Sequence, residues 1–255
     1  MFLDYLSTFI PKLPQLFIAL GLAEVQQIEG YDAFHLVNSG ALALYILCLT
    51  LGFAVLPYLL GSVSIPRFYC KKVKGLDIYK LGSGKGELRD VWVHVGKWHT
   101  VACFALELLK VILCLALGFF CIGADGAAVA GFFCVMGEIL PIWHKMRGSR
   151  GFETAALCVF VLSPLTFLVL FVIFIVVFLG MRFRTAARLF PTLLYPLIAR
   201  AFLNAANPTA VLLSVGVVVL MIFSHWKNMR EMLEREEPRI EFKKKKSEDE
   251  EEAQA

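Results

Sequence analysis

Two short turns in this chain carry the residue types that hold anions. Gly82-Ser83-Gly84-Lys85-Gly86 combines three glycines, a hydroxyl and a lysine. Glycines let backbone N–H groups converge on an oxyanion, while Ser83 and Lys85 add a donor and a charge. The run is not a nucleotide-type P-loop, because no glycine stands five residues before Gly84 and no Ser or Thr follows Lys85. Lys145-Met146-Arg147-Gly148-Ser149-Arg150-Gly151 places three cations, two glycines and a serine within seven residues. That composition makes a better phosphate cradle. The plainer reading of each turn is a loop, or a basic flank next to a membrane span.

Other candidates are charges where charge is costly. Glu107 and Lys110 lie three residues apart inside an apolar run, so they share a helix face. Glu138 stands in a further apolar run, one turn before Pro141, and is a natural partner for Lys110. Ionisable groups inside a membrane helix mark functional sites, and a structural ion pair is the competing reading. His225 and Asn228 are also spaced by three, at the end of the last apolar run. His99 and His144 have no partner pattern. The seven cysteines form no C-x-x-C pair, so neither a zinc site nor a disulfide framework is expected. No metal or cofactor is expected.

The elements that position these residues are membrane helices. The 255 residues are 58% hydrophobic, with mean hydropathy +0.71, above the roughly 45–50% apolar content of soluble domains. Basic residues gather in four segments: 62–99, Lys145 to Arg150, Arg182 to Arg188, and the tail from Lys227. Spans between them put all four on one membrane face, the cytoplasmic one by the positive-inside rule. The net charge of +4 is spread over these segments rather than drawn into one stripe, so nucleic acid is not an expected partner. Residues 1–37 hold only Lys12 against Asp4, Glu24, Glu29 and Asp32. They read as an amphipathic or irregular extracytoplasmic lead-in, with no basic leader of a cleaved signal peptide.

The membrane domain is expected over 38–240. Spans run over about 38–61, 99–122 and 126–143. Residues 152–180 read as two short helices turning at Ser163-Pro164, because one long span would carry Arg182, Arg184 and Arg188 to the outer face. Spans over about 189–203 and 209–226 complete the set. The fold class is all-α integral membrane, with seven transmembrane helices including the short hairpin. The N-terminus is then outside and the C-terminus cytoplasmic. Residues 241–255, a lysine block and an acidic end, read as a disordered charged tail.

In this order the pieces resemble the bacterial glycerol-3-phosphate acyltransferases that use acyl-phosphate, the PlsY family, over roughly 55–240. Gly75-Leu76-Asp77-Ile78 followed by Gly82-Ser83-Gly84 is similar to the family's G-x-D-I-R-x-x-G-S-G-N. Leu106 to Lys110 is similar to L-D-x-x-K-G. Gly137-Glu138-Ile139-Leu140-Pro141 through Gly151 is similar to G-H-x-x-P…K-G-G-K-G, and His225 to Arg230 with Glu237-Pro238 to H-R-x-N-I-x-R…E-P.

The resemblance implies acyl transfer from a fatty acyl-phosphate to the 1-hydroxyl of glycerol 3-phosphate, giving lysophosphatidic acid for phospholipid synthesis. It implies a bacterial cytoplasmic (inner) membrane, with membrane lipid around the acyl chain. In that reading Ser83, Lys145, Arg147 and Arg150 hold phosphate. His225 and Asn228 orient the acceptor, with Thr185 beside them. The chain departs from the pattern at Lys85 (for Asn), Arg89-Asp90 (for Thr-Asn), Val93 (for a phosphate-binding Arg), Glu138 (for His) and Ser149 (for Gly). Lys85 is expected to stand in for the Arg lost near Val93. Two alternatives stay open: an inactive or re-specialised relative, and a small-anion transporter using the basic mouth with Glu107, Lys110 and Glu138. No internal repeat of the transporter kind is visible.

Overall fold

Proline or glycine stands at the start or end of many of the helices. The computed structural model describes residues 23–28, 31–36, 51–81, 84–144, 148–181, 183–202 and 208–234, together with 20, 44 and 47–49. A π-helical turn, Leu51–Val55, runs into α1 (Leu56–Gly61), with Pro57 in its first turn. Helix α2 (Ile65–Lys74) has Pro66 in its first turn and collects Lys71, Lys72 and Lys74 in its last turn. Proline fits a helix start, and cations suit a helix end. Then come α3 (Leu88–His94), α4 (Lys97–Ile122), α5 (Ala124–Ile139), α6 (Phe152–Leu162), α7 (Pro164–Met181), α8 (Arg184–Phe202) and α9 (Pro208–Leu233).

Among the described residues three segments are long and apolar enough to cross a bilayer: Lys97–Cys121, Pro164–Met181 and Ala210–Arg230. Their outer faces carry exposed Leu168, Val176, Leu179, Leu212, Val219 and Phe223. A surface of that kind is matched to lipid. The membrane part is all-α. The first expected span lies only partly in the described residues.

Residues 152–181 divide at Ser163, whose backbone is extended between α6 and α7. Phe160 meets Phe167 at 5.2 Å and Phe152 meets Phe174 at 5.7 Å between ring centroids. These paired contacts on either side of the break make α6 and α7 antiparallel. Ser163 Oγ lies 2.8 Å from Thr166 Oγ1 and accepts from Thr166 N, which caps the start of α7. The halves are unequal. Helix α6 has 11 residues, but α7 has 18 and approaches full crossing length.

The segment before the membrane domain differs from an amphipathic or irregular lead-in. Strands β1 (Ala23–Ile28) and β2 (Tyr31–Leu36) pair antiparallel, from Ala23 opposite Leu36 to Ile28 opposite Tyr31. Val25, Ile28, Tyr31 and Phe34 are residues of high strand preference, and short stretches of this kind pair when a turn signal separates them.

The core sits where α4, α5, α6 and α9 meet. Val111, Cys114, Leu115, Cys134, Val135, Ile139, Leu157, Cys158 and Met221 form one buried cluster. The cysteines act there as small apolar residues. Helices α1 and α5 approach backbone to backbone. A Cβ at Gly61 would fall on the Cys134 carbonyl, and one at Gly137 on the Tyr58 carbonyl. Without a hydrophobic drive between helices in lipid, such close contact supplies much of the attraction. Tyr58 Oη donates to the Leu140 carbonyl at 2.8 Å and ties α1 to the end of α5.

Candidate active site

The intramembrane charges meet in one group. Lys110 Nζ lies 2.5 Å from Glu107 Oε1 and 2.7 Å from Glu138 Oε2, and donates to the Val63 carbonyl at 3.3 Å. Thr154 Oγ1 donates to Glu107 Oε1 at 3.0 Å. All three charged side chains are about 5% exposed. Buried charge persists only when paired and hydrogen-bonded. The group links α4, α5, α6 and the α1–α2 connection. It also sets the floor under the second anion turn. Gly148 packs so closely there that a Cβ would fall on the Glu138 carbonyl.

Above that floor lies a cationic cluster built by four elements. Gly86 takes φ +65°, which only glycine adopts cheaply, and turns the chain into α3. Glu87 and Asp90 form the capping box of α3, with Glu87 N donating to Asp90 Oδ2 at 3.3 Å. That cap fixes the Glu87 side chain at the centre of the cluster, where it is 5% exposed. Arg188 Nη2, from α8, donates to Glu87 Oε2 at 3.1 Å. Arg150 Nη1 lies 2.9 Å from Glu87 Oε1, as an ion contact outside hydrogen-bond geometry. Helix α9 joins through Ser224 Oγ, which donates to the Arg150 carbonyl at 3.1 Å. The next residue, His225, is 1% exposed. Its Nδ1 lies 3.0 Å from the Met221 carbonyl and so carries the proton, which leaves Nε2 as an acceptor in the neutral ring. Leu88 N donates to Glu153 Oε2 at 3.4 Å, so the start of α6 braces the start of α3.

Electrostatics follow the geometry. Burial pushes the Lys85 ammonium below its ordinary pKa. Arg150, Lys227 and Arg188 push it the same way, and Glu87 opposes them. For Glu87 burial favours the neutral acid, but Arg188 and Arg150 outweigh it and hold the carboxylate below its usual range. The cations Lys85, Arg150, Arg188 and Lys227 outnumber the carboxyl groups Glu87, Asp90 and Glu153. Arg150 Nε, His225 Nε2 and Glu87 Oε1 are buried with no hydrogen-bond partner among the described residues. A cluster with surplus positive charge, an unfilled guanidinium donor and an unfilled imidazole acceptor suits a small anion that also carries a hydroxyl.

An apolar cavity of about 230 Å³ adjoins the cluster. Phe104, Phe152, Glu153, Phe167, Phe171 and Tyr195 are among its lining residues. Phe152 also lies under Arg188, whose guanidinium carbon is 5.7 Å from the ring centre. The charged site and the lipid-like cavity therefore share a wall.

Of the residues singled out in the sequence, Lys85, Arg150 and His225 come together here. Thr185 is buried in the first turn of α8, one turn before Arg188, and Asn228 is half-buried one turn beyond His225. Ser83, Lys145 and Arg147 lie outside the described residues. Val93 is 61% exposed on α3. Sequence reading missed Glu87 and Glu153, and took Arg188 only for a basic flank. The Glu87-x-x-Asp90 spacing was the available signal, as a capping box before an apolar run.

A family profile described as glycerol-3-phosphate acyltransferase matches residues 51–235. The glycerol-3-phosphate acyltransferase of Thermoanaerobacter sp. (strain X514) is 26% identical over 187 residues, covering 73% of this chain and 93% of that protein. The enzyme of that name from Aquifex aeolicus is 28% identical over 190 residues, covering 73% and 96%. Among solved structures, PlsY (YgiH), an integral membrane glycerol 3-phosphate acyltransferase, is similar in its glycerol 3-phosphate form. The TM-score is 0.65 at 25% identity, over 77% of this chain and 96% of that one. Its lysophosphatidic acid form aligns with TM-score 0.65 at 26% identity, over 77% and 95%. With the profile spanning most of its length and the helices superposing, this integral membrane chain belongs to the glycerol-3-phosphate acyltransferase family.

Proposed function

We propose that the protein transfers a fatty acyl group from acyl-phosphate to the 1-hydroxyl of glycerol 3-phosphate, giving lysophosphatidic acid and inorganic phosphate. The observation that carries this reading is the buried cationic cluster abutting an apolar cavity. One substrate is an anion with hydroxyls, and the other joins a phosphate to an acyl chain. A solved relative with a glycerol 3-phosphate form and a lysophosphatidic acid form supports the acceptor and the product.

In this account Arg150 and Lys85 hold the acceptor's phosphate, with Ser83, Lys145 and Arg147 from the two glycine turns. Arg188, a cation absent from the expected set, joins them. His225 Nε2 accepts a hydrogen bond from the 1-hydroxyl, and Asn228 and Thr185 help to orient the acceptor. The hydroxyl oxygen attacks the acyl carbonyl carbon. The bond from that carbon to the phosphate oxygen breaks, and the hydroxyl proton passes through Nε2 to the departing phosphate. A mixed anhydride has a good leaving group, so positioning and anion stabilisation supply most of the acceleration. The acyl tail lies in the bilayer between helices. Glu107, Lys110 and Glu138 position the Gly148 turn and do not touch substrate.

The site faces the cytoplasm of a bacterial inner membrane, with the N-terminus outside and the C-terminus inside. Trp92, Trp98, Trp143 and Trp226 support this level. All are more than half exposed; Trp92 and Trp98 lie within the first basic segment, and Trp143 and Trp226 border the second and fourth. Tryptophan concentrates at membrane–water interfaces. The expected tail, 241–255, lies outside the described residues. The test is complementation of a bacterium lacking its acyl-phosphate-dependent acyltransferase. Growth restored by the parent and abolished by His225→Ala supports the proposal, and failure of the well-expressed parent contradicts it.

A further inference from the structure

The carboxylate of Glu87 occupies the space between two cations that an incoming phosphate needs. Oε2 takes Arg188 Nη2 at 3.1 Å and Oε1 stands 2.9 Å from Arg150 Nη1. The group is 5% exposed, so water competes little for either contact. Yet the cluster is left unsatisfied around it. Arg150 Nε and His225 Nε2 are buried with no hydrogen-bond partner among the described residues, so one carboxylate does not use the donors and acceptors gathered there. Glu87 is also held in place independently of the arginines, because Asp90 caps the backbone of Glu87 in the box that opens α3.

We propose that Glu87 is an internal counter-ion that the acceptor's phosphate displaces from Arg150 and Arg188, and that it thereby sets how strongly the site takes a phosphomonoester. This rests on the reading of the cluster as the acceptor's phosphate site. A carboxylate presents two oxygens and one charge, whereas a phosphomonoester presents three terminal oxygens and up to two charges. The phosphate therefore wins the arginines by charge and by the number of contacts, and Arg150 Nε gains an acceptor when it arrives. A weaker anion does not win them. Free carboxylates and monoanions are kept out by a carboxylate of the same charge that already lies between the two arginines. Glu87 acts on substrate through the arginines and is a specificity-determining residue, not a catalytic one.

The purely structural alternative makes the opposite prediction. If Glu87 only holds Arg150 and Arg188 in place, its removal lets them spread and weakens anion binding. The experiment is a titration of the purified full-length protein in detergent with inorganic phosphate and, separately, with acetate. Binding is read as the ligand-dependent rise in melting temperature and fitted for affinity. Glu87→Gln keeps the size and a cap acceptor but removes the charge. It should tighten phosphate by about tenfold, within the range of coupling seen for groups sharing one site. It should also admit acetate, which the parent excludes. Glu87→Asp, which keeps the charge, should stay within about threefold of the parent. Should the glutamine variant not fold, Glu87→Ser, with a hydroxyl suited to a helix start, carries the same expectation. Equal or weaker phosphate binding in the uncharged variants, or no phosphate binding in any form, overturns the proposal. Lysophosphatidic acid formation is measured on the same samples. Tightened phosphate binding without product in any form would sink the acyltransfer reading and leave the counter-ion role standing.

Discussion

Replacing Lys110 with methionine should destabilise the fold more than any single change at the charged site. Lys110 Nζ is shared between Glu107 at 2.5 Å and Glu138 at 2.7 Å, with all three side chains about 5% exposed. Methionine fills nearly the same space, so little cavity term enters. What remains is two buried carboxylates supported by the Thr154 hydroxyl alone among the described side chains that contact them. Removing one partner of a buried ion pair costs about 3–5 kcal/mol, which for a chain of this size is a fall of about 6–20 °C in melting temperature. Thermal unfolding in detergent, followed with a thiol-reactive fluorophore, reads this directly, since six of the seven free cysteines are buried. The triple variant Glu107→Gln, Lys110→Met, Glu138→Gln removes every charge together and should recover most of the loss, because a wholly neutral replacement leaves no uncompensated ion. A Lys110→Met protein that melts with the parent, or a triple variant as unstable as the single one, would show that the buried charges do not depend on one another.

Further outcomes follow from the site. Arg150→Ala should raise the KM for glycerol 3-phosphate by about tenfold or more with a smaller change in kcat, since a charge-assisted hydrogen bond to phosphate contributes about 1.5–3 kcal/mol. Steady-state kinetics on purified enzyme would show an unchanged KM if the role is wrong. The Lys85 pKa is depressed by burial and by Arg150, so its charge is lost below the ordinary lysine range. In the proposed role only the charged form holds the acceptor's phosphate; acceptor KM should therefore rise as pH climbs through that lowered value, and Lys85→Arg should remove the rise. A cysteine introduced at position 184 should be labelled by a membrane-impermeant reagent only after the cytoplasmic face is opened. Labelling from outside would end the hairpin topology for 152–181.

The features that could be read from sequence are those whose cause is local. The α6–α7 break was legible because Ser163-Pro164 interrupts an apolar run and because arginines follow it. The Glu107, Lys110 and Glu138 group stood out because charge inside apolar helices demands a partner. The centre of the site was not legible for the converse reason. Glu87 and Arg188 are 101 residues apart, and each alone looks ordinary, one as a helix cap and the other as a positive-inside flank. Only the approach of α8 to the start of α3 makes them a pair. The β1–β2 pairing was missed because two six-residue strands give too short a period to separate from an irregular segment. The unequal lengths of α6 and α7 escaped because the break is marked in sequence and the far end of α7 is not.

Purified protein in liposomes, given fatty acyl-phosphate and radiolabelled glycerol 3-phosphate, tests the proposed donor and acceptor at once. Labelled lysophosphatidic acid and one equivalent of inorganic phosphate should form, dependent on Arg150 and His225. Absence of product with acyl-phosphate, or product formed equally well by the Arg150→Ala and His225→Ala variants, would contradict the proposed acyl transfer.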